Sequence, residues 1–146
     1  MNTDGSICIG LTSNILGQYI LTVSENGLGK LSDLNEYRLS HRGGKGVKTI
    51  NTTDKTGALV VCRAVNGDED ALMMSNDGIM IRISLETVGV KGRATQGIKL
   101  MSLKEGTRVQ AVSIVPKLED QMDEVDHEDD TTTDTVMEPS TEVNEE

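Results

Sequence analysis

The sequence lacks most of the large aromatic side chains that usually fill a protein core. Phe and Trp are absent, and the only aromatic residues are Tyr19 and Tyr37. A core must therefore be built from Ile, Val, Leu and Met, without the aromatic bulk that dominates the energetics of most cores. This shortage indicates that the core of the 146-residue chain is completed by further repeats or by a partner chain.

Cysteine and long apolar runs are also scarce. Cys8 and Cys62 are isolated within apolar segments, without the spacing of a metal site or a disulfide framework. We expect both to be small buried hydrophobic residues. No apolar run is long enough to span a bilayer, and polar residues rather than a signal peptide follow Met1. The sequence thus predicts a cytosolic protein without a membrane partner.

Negative charge is concentrated in one segment. The formal net charge is -10, but residues 118–146 contain 13 of the 24 acidic residues and no Lys or Arg. Residues 1–117 hold all 14 basic residues against 11 acidic ones, a net charge of +3. We predict a folded domain over 1–117 and a disordered acidic tail over 118–146, which cannot bury enough apolar surface to offset the entropy of ordering. Such charge asymmetry favours a nucleic-acid partner.

Short strand-sized runs, separated by turns rich in Gly, Asn and Asp, make up residues 1–117. Helical periodicity is not evident there, so the sequence predicts an all-β fold. The predicted strands are 6–11, 19–24, 28–31, 47–51, 58–65, 71–75, 79–84, 98–103 and 109–115.

These runs repeat at a spacing of 51 residues. The turn Asn26-Gly27 matches Asp77-Gly78, and Arg42 matches Arg93, without a gap. Four short strands in a repeat of this length are typical of a propeller blade. Propellers need about four to eight blades, so two four-stranded blades and a leading strand would leave apolar surface uncovered. We expect either a fragment of a larger disc or a chain that pairs with itself or a partner.

Two glycine-rich basic loops occupy equivalent positions in the repeats. Successive glycine N–H groups can form an anion-binding nest, and an Arg guanidinium can bind a phosphate in bidentate fashion. The loops therefore predict contact with an anionic polymer. We expect the second loop to bind it more weakly, because this loop lacks the glycine pair. The alternative is that the loops are connectors whose cations only face water. The candidate DNA-binding residues are Lys30, Arg38, Arg42, Gly43, Gly44, Lys45, Gly46, Lys48, Lys91, Arg93 and Lys99.

Catalytic and nucleotide-binding motifs are missing from the sequence. The segment around Lys30 is not a Walker A motif, because Ser24 replaces its first glycine and Leu31 replaces its Ser or Thr. No nucleophile elbow or carboxylate–histidine constellation is present; His41 is expected to be an ordinary loop residue, and His127 lies in the acidic tail. We predict no catalytic centre, metal site or cofactor in this chain.

Several stretches resemble the C-terminal domain of the bacterial DNA gyrase A protein. They read ILTVSENGLGK at 20–30, EYR at 36–38 and RGGKGV at 42–47, then MMSNDG at 73–78 and GRATQGI at 92–98. The resemblance implies a β-pinwheel, a propeller-like disc of about six blades with a basic rim that bends DNA. The defining box of the family reads QRRGGKG; here Ser40-His41 replaces Gln-Arg, which implies a secondary, degenerate box on the penultimate blade. The catalytic Tyr of the family lies in an N-terminal region, so neither Tyr19 nor Tyr37 has that role.

The resemblance also implies a function and partners. It implies a DNA-wrapping fragment of an ATP-dependent type II topoisomerase, which contributes to negative supercoiling in the bacterial cytoplasm, in association with the chromosome. Its partners would be double-stranded DNA, the remaining gyrase A blades, the breakage-reunion domain and the gyrase B protein. The alternatives are the C-terminal domain of the topoisomerase IV protein related to gyrase A and a protein-interaction propeller fragment without a DNA role. The acidic tail either solubilises the chain or competes with DNA for the basic surface.

Overall fold

The computed structural model describes residues 5–118, which form two antiparallel sheets and no helix longer than one turn. This confirms the all-β prediction. Of the acidic tail predicted over 118–146, only Leu118 is among the described residues. The strands are β1 Tyr19–Ser24, β2 Leu28–Asp33, β3 Leu59–Val65, β4 Asp70–Ser75, β5 Met80–Ser84, β6 Ile98–Lys99 and β7 Val109–Val115. Single 3-10 turns lie at Asn14–Leu16, Leu34–Glu36 and Leu85–Thr87.

The β1–β2 hairpin forms where the sequence predicts a tight turn. Gly27 adopts a φ of 79°, a left-handed conformation that glycine reaches without the steric cost of a side chain. The backbone N–H of Gly27 donates to the carbonyl of Ser24, and the Ser24 hydroxyl donates to the carbonyl of Leu28. These bonds set the register in which Leu21 pairs with Leu31.

The 51-residue repeat of the sequence is also a structural repeat. β1 and β4 begin 51 residues apart, and so do the 3-10 turns Leu34–Glu36 and Leu85–Thr87. Even an irregularity recurs, because the strand register shifts between Val23 and Ser24 in one repeat and between Met74 and Ser75 in the other. The chain therefore contains two copies of one blade-like unit.

The two sheets differ in strand number because one strand crosses between them. The first sheet has the order β3-β1-β2-β6, and the second has the order β5-β4-β7. β6 belongs to the second repeat but pairs with β2 of the first. Within residues 5–118 the first blade thus has four strands and the second has three, whereas the sequence predicts four in each.

Two predicted strands are wrong and one is too long. Residues 6–11 and 47–51 are irregular, and only Ile98–Lys99 of the predicted strand 98–103 pairs with a neighbour. A strand needs a paired neighbour to satisfy its N–H and C=O groups, and residues 6–11 and 47–51 pair with none of the described strands. The side chain of Leu11 is accordingly 99% exposed.

The core is aliphatic, as the shortage of aromatic residues predicts. Leu21, Val23, Met73 and Leu85 are completely buried and belong to one cluster that spans both repeats. Burial of each such side chain contributes about 1.5–3 kcal/mol. The two blades therefore stabilise each other through a shared core.

Neither cysteine is fully buried, although the sequence predicts that both are. Cys8 is exposed, so the prediction that it is a buried hydrophobic residue is wrong. It lies in the irregular segment 6–11, which has no sheet to pack against. Cys62 lies on β3 and is half-buried, and this burial raises the pKa of its thiol.

Candidate nucleic-acid interface

The first loop, defined here as residues 38–48, projects from the first repeat with its cations exposed. Its turn is closed by a hydrogen bond from the N–H of Gly44 to the carbonyl of His41, 3.1 Å long. The Arg38 guanidinium donates to the carbonyl of Lys45 across 3.3 Å. Residues 38–44 line a shallow cavity of about 360 Å³, with Arg42 on its wall. The loop is thus a folded basic protrusion.

Glycine has two distinct uses in the first loop. Gly43 adopts a φ of 74°, which reverses the chain and which other residues rarely adopt. A Cβ atom added to Gly43 or Gly46 would meet nothing within 4 Å. The backbone at both positions is therefore open, and a ligand can approach it closely.

Cations of the first loop form no ion pair with another residue of 5–118. Within residues 5–118 the ion pairs join Arg82 to Asp70, Arg108 to Glu25 and Lys117 to Glu86. None of these involves a cation of the two glycine-rich loops. Arg42, Lys45 and Lys48 are exposed. Their charges are thus available to an external anion.

The second loop, residues 91–99, differs from the first because its arginine is held against the first repeat. The backbone N–H of Arg93 donates to Glu36 across 2.8 Å, and its guanidinium donates to the carbonyl of Lys48 across 2.8 Å. The guanidinium also lies 5.9 Å from the ring centre of Tyr37, within cation–π range. Only Lys91 and Lys99 of the predicted cations in this loop are exposed.

The prediction that Lys30 contacts DNA is wrong, because its side chain is completely buried. Its ammonium donates to the carbonyls of Gly92 and Arg93, at 2.7 and 2.5 Å, and to the hydroxyl of Thr95. Desolvation lowers the pKa of Lys30, while Glu36 raises it and the charge of Arg93 lowers it further. Lys30 therefore holds the second loop in place.

Lys99, which the sequence predicts to bind DNA, lies beside two further cations that the sequence reasoning missed. Lys55, Lys99 and Lys104 line a cavity of about 740 Å³ beside the Asn26 turn, with Glu105 as its acidic member. Lys55 and Lys104 occupy turns that the repeat pattern identifies, but nothing in the sequence signals that these turns approach β6. The exposed basic surface is thus larger than the two glycine-rich loops.

The described residues contain no grouping of three or more His, Cys, Asp or Glu side chains that could hold a metal ion. In the same part of the chain, no helix is long and apolar enough to cross a membrane. The exposed cations and open glycines are the chemically distinctive surface of residues 5–118.

Sequence comparison gives matches over both repeats. A family model described as "DNA gyrase C-terminal domain, beta-propeller" matches residues 18–66 and again residues 69–116. The chain is 44% identical to the DNA gyrase A protein from Ureaplasma parvum over 113 residues, which is 77% of this chain and 13% of that protein. It is 41% identical to the DNA gyrase A protein from Staphylococcus aureus over 123 residues, 84% of this chain and 14% of that protein. The chain thus spans only about a seventh of the length of these relatives.

Solved structures match the fold. One described as "Structure of DNA gyrase A C-terminal domain" has a TM-score of 0.63 and 28% identity, and covers 67% of this chain and 33% of that one. The C-terminal domain of a DNA topoisomerase IV has the same TM-score at 24% identity, over 70% of this chain and 31% of that one. The second match bears on the fold alone. Together with the family model, these matches confirm the prediction of propeller-type blades.

Proposed function

This chain belongs to the family of DNA gyrase C-terminal β-propeller domains, and on that premise we propose that it binds double-stranded DNA through the phosphate backbone. The observation that carries the proposal is the first loop, where Arg42 and Lys45 are exposed and form no ion pair with any residue that the structure describes. Open glycine backbone lies between and beside them. This arrangement suits phosphate oxygens.

The binding is independent of base sequence. Arginine and lysine at a loop tip contact phosphates, which carry no base information, and no described helix or long strand ribbon projects beyond the sheets to enter a major groove. Lys55, Lys99 and Lys104 extend the basic surface and can contact further phosphates of a bent duplex. The family relation supports such bending, since the matching family is that of DNA gyrase C-terminal domains.

We propose that this chain corresponds to the last blades of a gyrase A protein. In that role the chain wraps DNA for negative supercoiling, in a cytoplasmic complex with further gyrase A blades, the breakage-reunion domain and gyrase B. Because residues 5–118 offer no catalytic grouping that we identify, chemistry would belong to other parts of the complex. The topoisomerase IV alternative has fold similarity as its only support.

The test is DNA affinity as a function of salt. Arg42→Ala and Lys45→Ala are compared with Arg63→Ala, which removes an exposed cation from β3. Each loop variant should weaken binding to a short duplex and flatten the slope of log K against log salt by about 0.9 per lost phosphate contact. Fluorescence anisotropy over a series of KCl concentrations measures both. If the three variants behave alike, the first loop is not the binding site.

A further inference from the structure

The sequence contains two Asn-Gly pairs, Asn26-Gly27 and Asn66-Gly67. This dipeptide is chemically labile, because glycine has no side chain to keep its backbone nitrogen away from the preceding carboxamide. When that nitrogen attacks the carboxamide carbon, the asparagine loses ammonia and becomes aspartate or isoaspartate. The two pairs lie in different surroundings, and these surroundings decide whether each pair can react.

The Asn26-Gly27 pair is held at both groups that take part in this reaction. The carboxamide nitrogen of Asn26 donates to the carbonyls of Asp54 and Lys55, each across 3.1 Å. The backbone N–H of Gly27 donates to the carbonyl of Ser24 across 3.0 Å, and Gly27 is buried. The attack at Asn26 therefore requires the β1–β2 turn to open locally first.

The Asn66-Gly67 pair lies in a bend between β3 and β4, outside both sheets. Gly67 has a φ of 95°, a left-handed conformation that reverses the chain there. Asn66 is exposed, and its carboxamide forms no hydrogen bond with a residue of 5–118. The carboxamide of Asn66 is thus free to rotate toward the nitrogen of Gly67.

The carboxylate of Glu69 holds the attacking nitrogen of this second pair. Its Oε2 atom accepts the N–H of Gly67 across 2.8 Å, and its two oxygens accept the N–H of Asn66 at 3.0 and 2.9 Å. The first distance lies within the range of about 2.6–3.2 Å that a general base needs to take a proton. The nitrogen of Gly27 is bound instead to a neutral carbonyl, which does not act as a base.

We propose that Asn66 is a site of spontaneous modification to aspartate and isoaspartate, whereas Asn26 is preserved. The nitrogen of Gly67 gives its proton to Glu69 and forms a bond to Cγ of Asn66. The Cγ–Nδ2 bond then breaks, and the released nitrogen takes up this proton and leaves as ammonia. Water opens the resulting succinimide ring at either carbonyl carbon. Water is consumed and ammonia is released, so neither an oxidant nor a reductant is needed.

The products disturb the connection between the two sheets. Both place a new carboxylate beside that of Glu69, and like charges at short range are unfavourable. Isoaspartate also adds a carbon atom to the backbone between the N–H groups that Glu69 accepts. The carbonyl of Glu69 accepts the N–H of Leu85 across 3.0 Å, so this connection is attached to the second repeat. The modification therefore loosens the chain between β3 and β4 and leaves the β1–β2 hairpin unchanged.

Incubation of the full chain at pH 8 tests the selectivity. Samples taken over several weeks are digested with pepsin at acidic pH, which stops the reaction, and fragmentation mass spectrometry measures the conversion of each asparagine. Asn66 should react at least about tenfold faster than Asn26, since reaction at Asn26 requires local opening. In urea the two rates should become similar, because glycine follows both residues. Equal rates in the folded chain, or faster reaction at Asn26, overturn the proposal.

Glu69→Gln tests the proton acceptor. Glutamine retains a carbonyl oxygen but not the negative charge, so Asn66 should react at least about tenfold more slowly in the folded variant. The matched control is Glu105→Gln, which removes the same charge from an exposed turn near Asn26 and should leave both rates unchanged. An unchanged or faster reaction in Glu69→Gln would show that Glu69 is not the base. The wild-type comparison does not depend on the folding of either variant.

Two variants of Asn66 test the consequence of the reaction. Asn66→Asp reproduces one product and should accelerate amide exchange at Gly67 by about threefold or more, with no change at Gly27. Asn66→Gln should keep Gly67 protected and should remove the labelling of the incubated chain by an isoaspartyl methyltransferase. Unchanged exchange at Gly67 in Asn66→Asp, or undiminished labelling in Asn66→Gln, contradicts the assignment. DNA affinity is measured separately, so failure here leaves the proposed function intact.

Discussion

The ammonium of Lys30 lies 2.5 Å from the carbonyl oxygen of Arg93, 63 residues further along the chain. A buried cation is unfavourable unless its donors are satisfied, and here two carbonyls and the Thr95 hydroxyl satisfy them. Lys30 thus joins the two repeats through residues 92–95, which lie between the paired residues Val90 and Ile98. The second loop depends on the first repeat for its conformation.

Lys30→Met should destabilise the chain while Lys45→Met should not. Methionine fills similar space but removes the Lys30 donor from the carbonyl of Arg93, at a cost of about 1–3 kcal/mol for an unsatisfied group. The carbonyl of Gly92 keeps its hydrogen bonds from Thr95. Lys45 is exposed, so its replacement should change stability by less than about 0.5 kcal/mol. Urea unfolding measures both variants. Equal midpoints would show that the Lys30 contacts contribute nothing to stability.

Local signals explain which parts of the fold were predictable. β1 and β7 have the predicted bounds, since each is a short, mainly apolar run between turn signals. The strand predicted at 47–51 fails because strand formation needs a partner edge, which local sequence does not encode. The prediction that Lys30 contacts DNA fails for the same reason, because the partners of Lys30 are 62 to 65 residues away and are mostly backbone carbonyls.

The candidate site, like the fold, was predictable from the sequence only in part. Exposure of the first loop follows from its glycines and cations, which a core does not accommodate. Arg93 is enclosed and Arg42 is not. Sequence reasoning could not predict this difference, because the two arginines occupy equivalent positions of the repeat. The difference depends on neighbours that are distant in sequence, because Glu36, Tyr37 and the carbonyl of Lys48 contact Arg93. Tertiary neighbours, rather than residue type, decide which cation is available.

Gly27→Ala should be more destabilising than Gly78→Ala. The two glycines occupy the same turn position, with φ of 79° and 86°, so both substitutions carry a similar left-handed penalty of about 1–2 kcal/mol. At Gly27 the new methyl would also collide with the carbonyl of Met101, whereas at Gly78 it meets nothing. Overpacking adds about 1–3 kcal/mol. Thermal unfolding gives the comparison, and equal losses would contradict the close packing at Gly27.

The Cys62 thiol should react more slowly than the Cys8 thiol. Burial raises the pKa of Cys62, so at any pH below that value a smaller fraction is the reactive thiolate. Cys8 is exposed. Alkylation by iodoacetamide should modify Cys8 first at pH 8, and the Cys62 rate should continue to rise at higher pH. Cys8→Ser and Cys62→Ser each leave one thiol, which assigns the two rates. Faster reaction in the Cys8→Ser variant than in the Cys62→Ser variant would contradict this order.

Removal of the acidic segment should strengthen DNA binding at low salt. Residues 118–146 contain 13 acidic and no basic residues, and tethering gives them a high effective concentration near the exposed cations of the first loop. Because both this competition and phosphate binding are electrostatic, the gain should shrink as salt rises. Anisotropy titrations of the chain ending at residue 118 measure the gain. The control replaces 119–146 by an uncharged Gly/Ser segment of equal length. If that chain binds DNA like the wild type, the acidic charges are not competitors.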